Sequence, residues 1–200
     1  MSFLIIDTET TGIFDFKIPA DSPGQPRMAS FAGLAVNDPD DEPEVFERYI
    51  RPDGWQMDPK AGAVNGLTDE FLEANGVPVT EVLDEYVRRV EAGYVIVAYN
   101  AQFDLKMMRA ELRRAGRDDM FERTPNICVM RPLTNVLQLP GRYGFKWPNL
   151  AEACAHYGIT NAKAHDAVGD AQAALEVMRN LRRDGLLPEA KVHYSKGGKA

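Results

Sequence analysis

The run YVIVAY at 94–99 constrains this chain most. It is wholly apolar and rich in β-branched residues, so it reads as a short strand with no polar face, buried on both sides. It passes directly into AQFDLKMMRAELRRA, a helical pattern with Asn100 in the N-cap position and Gly116 as its stop. A strand that needs cover on both faces and feeds a helix belongs inside an α/β sheet flanked by helices.

The rest of the chain supplies that sheet. Residues 3–7 (FLIID) form a second buried strand by pattern, and 28–36 and 44–52 read as two more. The turn-rich NDPDDEP between the last two predicts an antiparallel hairpin. Val79, Val82, Leu83, Tyr86, Val87 and Val90 have helical spacing over 79–92, ahead of Gly93. A short strand is expected at 126–130, then a loop rich in Pro and Gly, a helix at 149–157 and a long helix over roughly 166–184. Three strands followed by alternating helix and strand imply a mixed sheet. We expect one domain over 1–184 and a flexible tail over 185–200, within which KVHYSKGGKA frays.

Composition narrows the class. Two hundred residues, 44% hydrophobic and 26% charged, fit one soluble globular domain. No apolar run approaches a membrane span, and MSFLIIDTETTG lacks the features of a signal peptide, so no membrane association and a cytoplasmic location are expected. Cys128 and Cys154 have no metal-like spacing and read as buried thiols. A net charge of −7 argues against coating duplex DNA by counterion release, leaving any grip on nucleic acid local.

Three short segments carry chemistry. Asp7 and Glu9 stand at i and i+2 of a strand, so both carboxylates leave the same face and repel unless a cation sits between them. Asp104 falls in the first turn of the helix after Asn100, where the helix dipole favours an acid even without function. In HDAVGD (165–170), Asp166 and Asp170 share a helix face; Asp166 reads as an N-cap and Asp170 as a ligand. His165 is suited to take a proton from water near neutral pH. His156 and His193 have no such surroundings and read as structural or surface residues. Taken together, Asp7, Glu9, Asp104 and Asp170 with His165 match the set that in-line attack on phosphate with two cations about 3.5–4 Å apart requires.

DTETTG (7–12), NAQFD (100–104) and HDAVGD (165–170) resemble, in order and spacing, the three motifs of the DEDDh 3′→5′ exonucleases. That family includes the proofreading subunit of bacterial DNA polymerase III and ribonuclease T-like enzymes. The resemblance spans roughly residues 3–181. It implies an RNase H-like fold, a five-stranded mixed sheet in order 3-2-1-4-5 with helices on both faces, and two Mg²⁺ or Mn²⁺ ions. It implies that Asp7, Glu9 and Asp170 hold one metal, that Asp7 reaches the second with Asp104 helping through water, and that His165 is the general base. Thr8, Thr10, Thr11, Gly12, Asn100 and Phe103 would contact the terminal nucleotide. PKAGAVNGLTDEF (59–71) resembles the segment lining the terminal base and places Val64 and Asn65 there, with Asn65 where relatives often carry histidine.

Two features leave alternatives open. FDFKIPADSPGQPR (14–27) is longer than the usual link in this family; it reads either as a harmless loop or as a lid or strand-separating wedge. Lys106, Arg109, Arg113 and Arg117 form a stripe on one helix, either a solvated face or a phosphate track. Trp147 reads as a packing residue. The expected activity is removal of mononucleotides from the 3′ end of DNA, single-stranded for preference. RNA trimming is the second choice, and a silent module binding nucleic acid or a polymerase the rival from another class. The chain carries no polymerase domain, so proofreading would need a polymerase partner in trans.

Overall fold

Hydrophobic strands with no polar face organise the centre of the protein. The computed structural model describes residues 1–192. Strand β1 (Phe3–Thr10) pairs antiparallel with β2 (Met28–Val36), and β2 pairs antiparallel with β3 (Glu44–Tyr49). Two helices follow, α1 (Pro59–Asn65) and α2 (Asp69–Asn75), then α3 (Val79–Glu91). Strand β4 (Val95–Ala98) lies parallel to β1 and leads into α4 (Ala101–Arg114), which returns to β5 (Asn126–Cys128), parallel to β4. The sheet order is β3-β2-β1-β4-β5, as the family resemblance implied. Helix α5 (Met130–Leu137), a two-residue-strand hairpin (β6, Pro140–Gly141; β7, Gly144–Phe145), α6 (Leu150–Tyr157) and α7 (Ala167–Arg183) complete the order.

All nine residues of β2 and all four of β4 are buried, which requires cover on both faces of the sheet. Helix α7 packs over β1 and β2 and against α6, while α4 packs with α3 against β1, β4 and β5. One core joins Leu4 and Ile6 of β1, Phe31 and Leu34 of β2, Met107 and Met108 of α4, and Val177 and Met178 of α7. Cys128 and Cys154 are both buried free thiols, as expected.

Several boundaries differ from the sequence expectations. Strand β1 continues three residues past Asp7, and β3 stops at Tyr49: the Ile50 amide still donates to Ala29 of β2, but beside it the Arg51 amide donates to the Val77 carbonyl and the Tyr49 carbonyl accepts from the Val77 amide. Strand pattern alone did not separate β5 from α5, which begins at Met130, two residues after Cys128. Helices α1 and α2 lie where the sequence suggested only a base-lining segment. Each is seven residues long and buries at most Leu72, so neither has enough apolar stripe to be read by periodicity. Their caps define them instead: Asp58 accepts from the amides of Lys60 and Ala61, and Thr68 from that of Phe71.

Asn100 does stand at the N-cap of α4, but its side chain makes no capping bond and its buried Oδ1 has no partner; its backbone carbonyl accepts from Phe103 instead. Trp147 is 56% exposed, against the expectation of a packing residue, because the loop that carries it sits outside the core. Of the expected tail, Lys191 exchanges two backbone hydrogen bonds with Asn126 at the sheet edge, and residues 193–200, including His193, lie outside the described residues.

Candidate active site

Strand β4 pairs with β1 only from Phe3 to Ile5. Beyond Ile5, β1 runs past the end of β4 with that flank open, and the chain leaving Ala98 turns there into α4. Asp7 and Glu9 occupy this overhang, opposite Ala32 and Ser30 of β2, with a register irregularity just after Glu9. The first turn of α4 delivers Asp104, and the first turn of α7 delivers Asp170. The four carboxylates therefore come from three elements that meet at one strand end.

Their electrostatics are those of a cluster with like charges and little water. Burial, then Asp104, Asp170, Glu9 and Asp166 in decreasing order, push the Asp7 carboxyl well above its ordinary range. Burial, followed by Asp170, raises Glu9 to about 7. Asp104 is also pushed up to about 7 by burial, even though the Thr8 amide and hydroxyl both donate to its Oδ1, at 3.1 and 2.9 Å. Asp170 is raised by burial against the opposing bond from Asn161, whose Nδ2 donates to Oδ1 at 2.6 Å.

His165 precedes α7 with φ +66°, a left-handed backbone that costs a non-glycine residue of order 1 kcal/mol or more. Its amide donates to Asp170 Oδ2 at 3.3 Å. A ligand atom of His165 lies within 4.8 Å of ligand atoms of Glu9 and Asp170, which also lie that close to each other. Asp166 is the N-cap of α7, accepting from the Gly169 amide at 3.0 Å, as read from the sequence. Gly169 is required there: a Cβ would stand 2.4 Å from the Lys163 carbonyl oxygen, so any side chain would force apart the turn that presents His165.

A groove of about 1240 Å³ opens beside these carboxylates. Thr8, Glu9, Thr10, Thr11, Gly12, Val64, Asn65 and Phe103 all line it. The threonine hydroxyls are engaged within the protein: Thr8 with Asp104, Thr10 with the Gly12 carbonyl, and Thr11 as acceptor from the Arg27 amide. Asn65 donates to the Thr10 carbonyl at 3.3 Å, tying α1 to β1 beside Glu9, and its side chain opposes the rise of the Glu9 carboxyl. Asn100 does not line this groove. The opposite wall comes from residues 21–27 of the long loop and from 54–58, including Trp55 and Met57.

The structure adds residues that the sequence did not single out. Asn161 fixes Asp170 from a turn nine residues earlier, and its only sequence signal was the turn-prone stretch ITNAK. Arg27 and Arg114 line the groove while pairing with Glu111, a link across 84 positions in the first case. His156 is exposed, its ring edge-on to the neighbouring Tyr157 with centroids 4.7 Å apart, consistent with a surface role.

Comparison with known proteins gives a consistent result. The exonuclease family model matches residues 4–178. The chain is 32% identical over 178 residues to DNA polymerase III subunit epsilon of Escherichia coli K12, covering 87% of this chain and 68% of that protein. It is 28% identical over 188 residues to an uncharacterised exonuclease of Escherichia phage 186, covering 91% of this chain and 89% of the phage protein. In fold it is similar to E. coli exonuclease I crystallised with a dT13 oligonucleotide, with a TM-score of 0.72, 21% identity and 90% of this chain covered. This chain spans 41% of that larger chain. Among the described residues, no helix is long and apolar enough to cross a membrane.

Proposed function

The chain belongs to the exonuclease family, and on that premise we propose that it releases nucleoside monophosphates one at a time from the 3′ end of DNA, with single strands preferred. The observation that carries this reading is the convergence of Asp7, Glu9, Asp104 and Asp170, with Glu9 lining the groove and a nitrogen of His165 close to Glu9 and Asp170. The four neighbours that push hardest on Asp7 are all carboxylates. Such a donor set is suited to hard divalent cations, which take oxygen ligands and would relieve the repulsion. Asp7, Glu9, Asp104 and Asp170 would hold two Mg²⁺ or Mn²⁺ ions. Those ions supply a more acidic bound water and charge stabilisation at the leaving oxygen.

The chain's own residues do the rest. His165 accepts the proton of the attacking water, and its distance from Glu9 and Asp170 keeps it beside the carboxylates where that water is bound. Asn161 and Thr8 hold Asp170 and Asp104 in place, so the cluster meets the phosphate without rearranging. Phe103, Val64 and Asn65 line the space for the terminal nucleotide. We assign the catalytic domain to residues 1–184. The relationship to a polymerase III subunit makes proofreading beside a polymerase partner a role open to it.

The test is digestion of 5′-labelled single-stranded DNA, duplex DNA and RNA with Mg²⁺. Single-strand products should shorten stepwise from the 3′ end. Internal cuts, or no shortening that depends on a divalent cation, would overturn the reading. Faster digestion of RNA than DNA would move the substrate to RNA.

A further inference from the structure

The long loop at 14–27 is a fixed wall. The Gln25 side chain accepts from the Asp15 amide at 2.9 Å and donates to the carbonyls of Asp15, Ile18 and Pro19 at 2.7, 3.2 and 3.1 Å. Arg114 of α4 donates to the carbonyls of Ala20 and Pro26, at 2.9 and 3.1 Å. Phe14 is buried edge-on against Phe103 at 5.6 Å. The loop is therefore laid along α4 from its first turn to its last.

Its two flanks face different cavities. Residues 21–27 wall the groove beside the acidic cluster, whereas residues 18–20 wall a second cavity of about 430 Å³. Lys106, Arg109 and Arg113 of α4 and Arg131 of α5 line that second cavity, and among the described residues no carboxylate does. At about 100° per residue, the three α4 cations lie roughly 140–200° round the helix from Asp104, which places this cavity behind the active site. Asp119 and Asp21 offset part of the charge through Arg109 and Arg113. Lys106 rests on rings, its ammonium 4.6 Å from the centroid of Phe14 and 4.1 Å from that of Phe16. In a chain of net charge −7, this concentration of cations is a local exception. Its volume exceeds what a lone anion needs and falls in the range of ligand sites. Phe16, 66% exposed, stands on the loop that separates the two cavities, and Ile13, 83% exposed, immediately precedes it.

We propose that this second cavity holds the phosphodiester backbone of the strand that is not cut, so that the 14–27 loop divides the strands of a duplex end. This rests on the exonuclease reading. The strand being digested occupies the groove on the 21–27 flank, while its complement passes the 18–20 flank and meets Lys106, Arg109, Arg113 and Arg131. The exposed apolar side chains of the loop meet the base pair where the strands part.

The test compares wild type with the Lys106→Gln/Arg131→Gln double variant on three substrates: thymidine 5′-monophosphate p-nitrophenyl ester, single-stranded DNA, and a blunt duplex of the same sequence. The double variant should hydrolyse the ester and the single strand within about twofold of wild type. On the duplex, kcat/KM should fall roughly tenfold, with a shallower salt dependence, as expected for lost phosphate contacts. Equal losses on all three substrates, no loss on the duplex, or a wild type that digests single strands but never the duplex would overturn the proposal. Absence of ester hydrolysis in wild type counts against the exonuclease reading instead. The cavity is then judged by fluorescence anisotropy of the labelled duplex in Ca²⁺, where the double variant should bind several-fold more weakly and equal binding would refute the site.

Discussion

Thr8 and Asp104, 96 positions apart, are joined by two hydrogen bonds to one oxygen: the Thr8 amide and hydroxyl both donate to Asp104 Oδ1, at 3.1 and 2.9 Å. A residue of β1 thereby fixes the carboxylate that α4 contributes. Both bonds favour the charged carboxylate and oppose the burial that raises Asp104 to about 7. Thr8→Val keeps the side-chain shape and removes one of them. We expect Asp104 to hold its proton to higher pH, so that Mg²⁺ must displace a more tightly held proton. The Mg²⁺ concentration for half-maximal activity near pH 7 should rise several-fold, with much of the loss recovered by pH 8.5. Metal titrations at the two pH values check this; identical activation curves for variant and wild type would remove Thr8 from that role.

The same cluster governs stability when no metal is present. Asp7 and Asp170 are raised, and Glu9 and Asp104 lie at about 7, all above their unfolded values. A carboxyl with a raised folded pKa binds its proton more tightly in the folded state. Its contribution is fully present below about pH 4 and is lost as pH rises through about 7. Metal-free protein should thus be less stable at pH 8 than at pH 5.5, by at least about 1 kcal/mol, the worth of a single pKa unit. Added Mg²⁺ should restore stability at pH 8 and matter little at pH 5.5. Asp7→Asn should flatten the pH dependence. Thermal melts in chelator and in Mg²⁺ measure all three, and a metal-free melting temperature that climbs from pH 5.5 to 8 would contradict the account.

His165 takes its position from a strained backbone and from the Asp170 carboxylate, which accepts its amide. His165→Ala should lower turnover by about 10²-fold, the scale of a lost general base. Mn²⁺ affinity, measured by calorimetry, should change by less than about threefold, since four carboxylates remain. His165→Asn, which tolerates a positive φ better than alanine, separates loss of the base from loss of the turn: its activity should match that of the alanine variant. Wild-type rates in either variant would exclude His165 from the chemistry.

Much of this site was legible because its parts obey local rules. Alternation put Asp7 and Glu9 on one face of β1, helix-start chemistry placed Asp104 and Asp170 in first turns, and the capping role of Asp166 left Asp170 free to join the acidic cluster. The wholly apolar Val95–Ala98 marked the strand that needs cover on both faces. Other features depended on contacts distant in sequence or on weak local patterns. Helices α1 and α2 bury only Leu72 and are set by Asp58 and Thr68, so no apolar period announced them. Asn100 offered a cap on paper, but its backbone carbonyl took the bond and its side chain took none. The basic stripe presented two readings because its ion pairs, such as Arg117 with Asp84 at 2.6 Å, come from other elements.

Glu111 is 1% exposed on α4 and gathers the ends of the long loop. It accepts from Arg27 Nε at 2.8 Å and Nη2 at 3.1 Å, from the Met28 amide at 3.2 Å, and from Arg114 at 2.8 Å. Two cations and one amide thus depend on a single buried carboxylate, and both cations also line the groove. Removing one partner of a buried pair costs about 3–5 kcal/mol, because the remaining charges stay desolvated without compensation. Glu111→Ala should therefore lose about that much in urea unfolding, and Glu111→Gln, which keeps the hydrogen-bonding shape, less. Amide exchange at residues 20–28 should accelerate in both variants before global unfolding sets in, since Arg114 holds the Ala20 and Pro26 carbonyls only while its own charge is balanced. A Glu111→Ala protein within about 1 kcal/mol of wild type, with loop amides still protected, would show that the loop is held by the Gln25 network without this carboxylate.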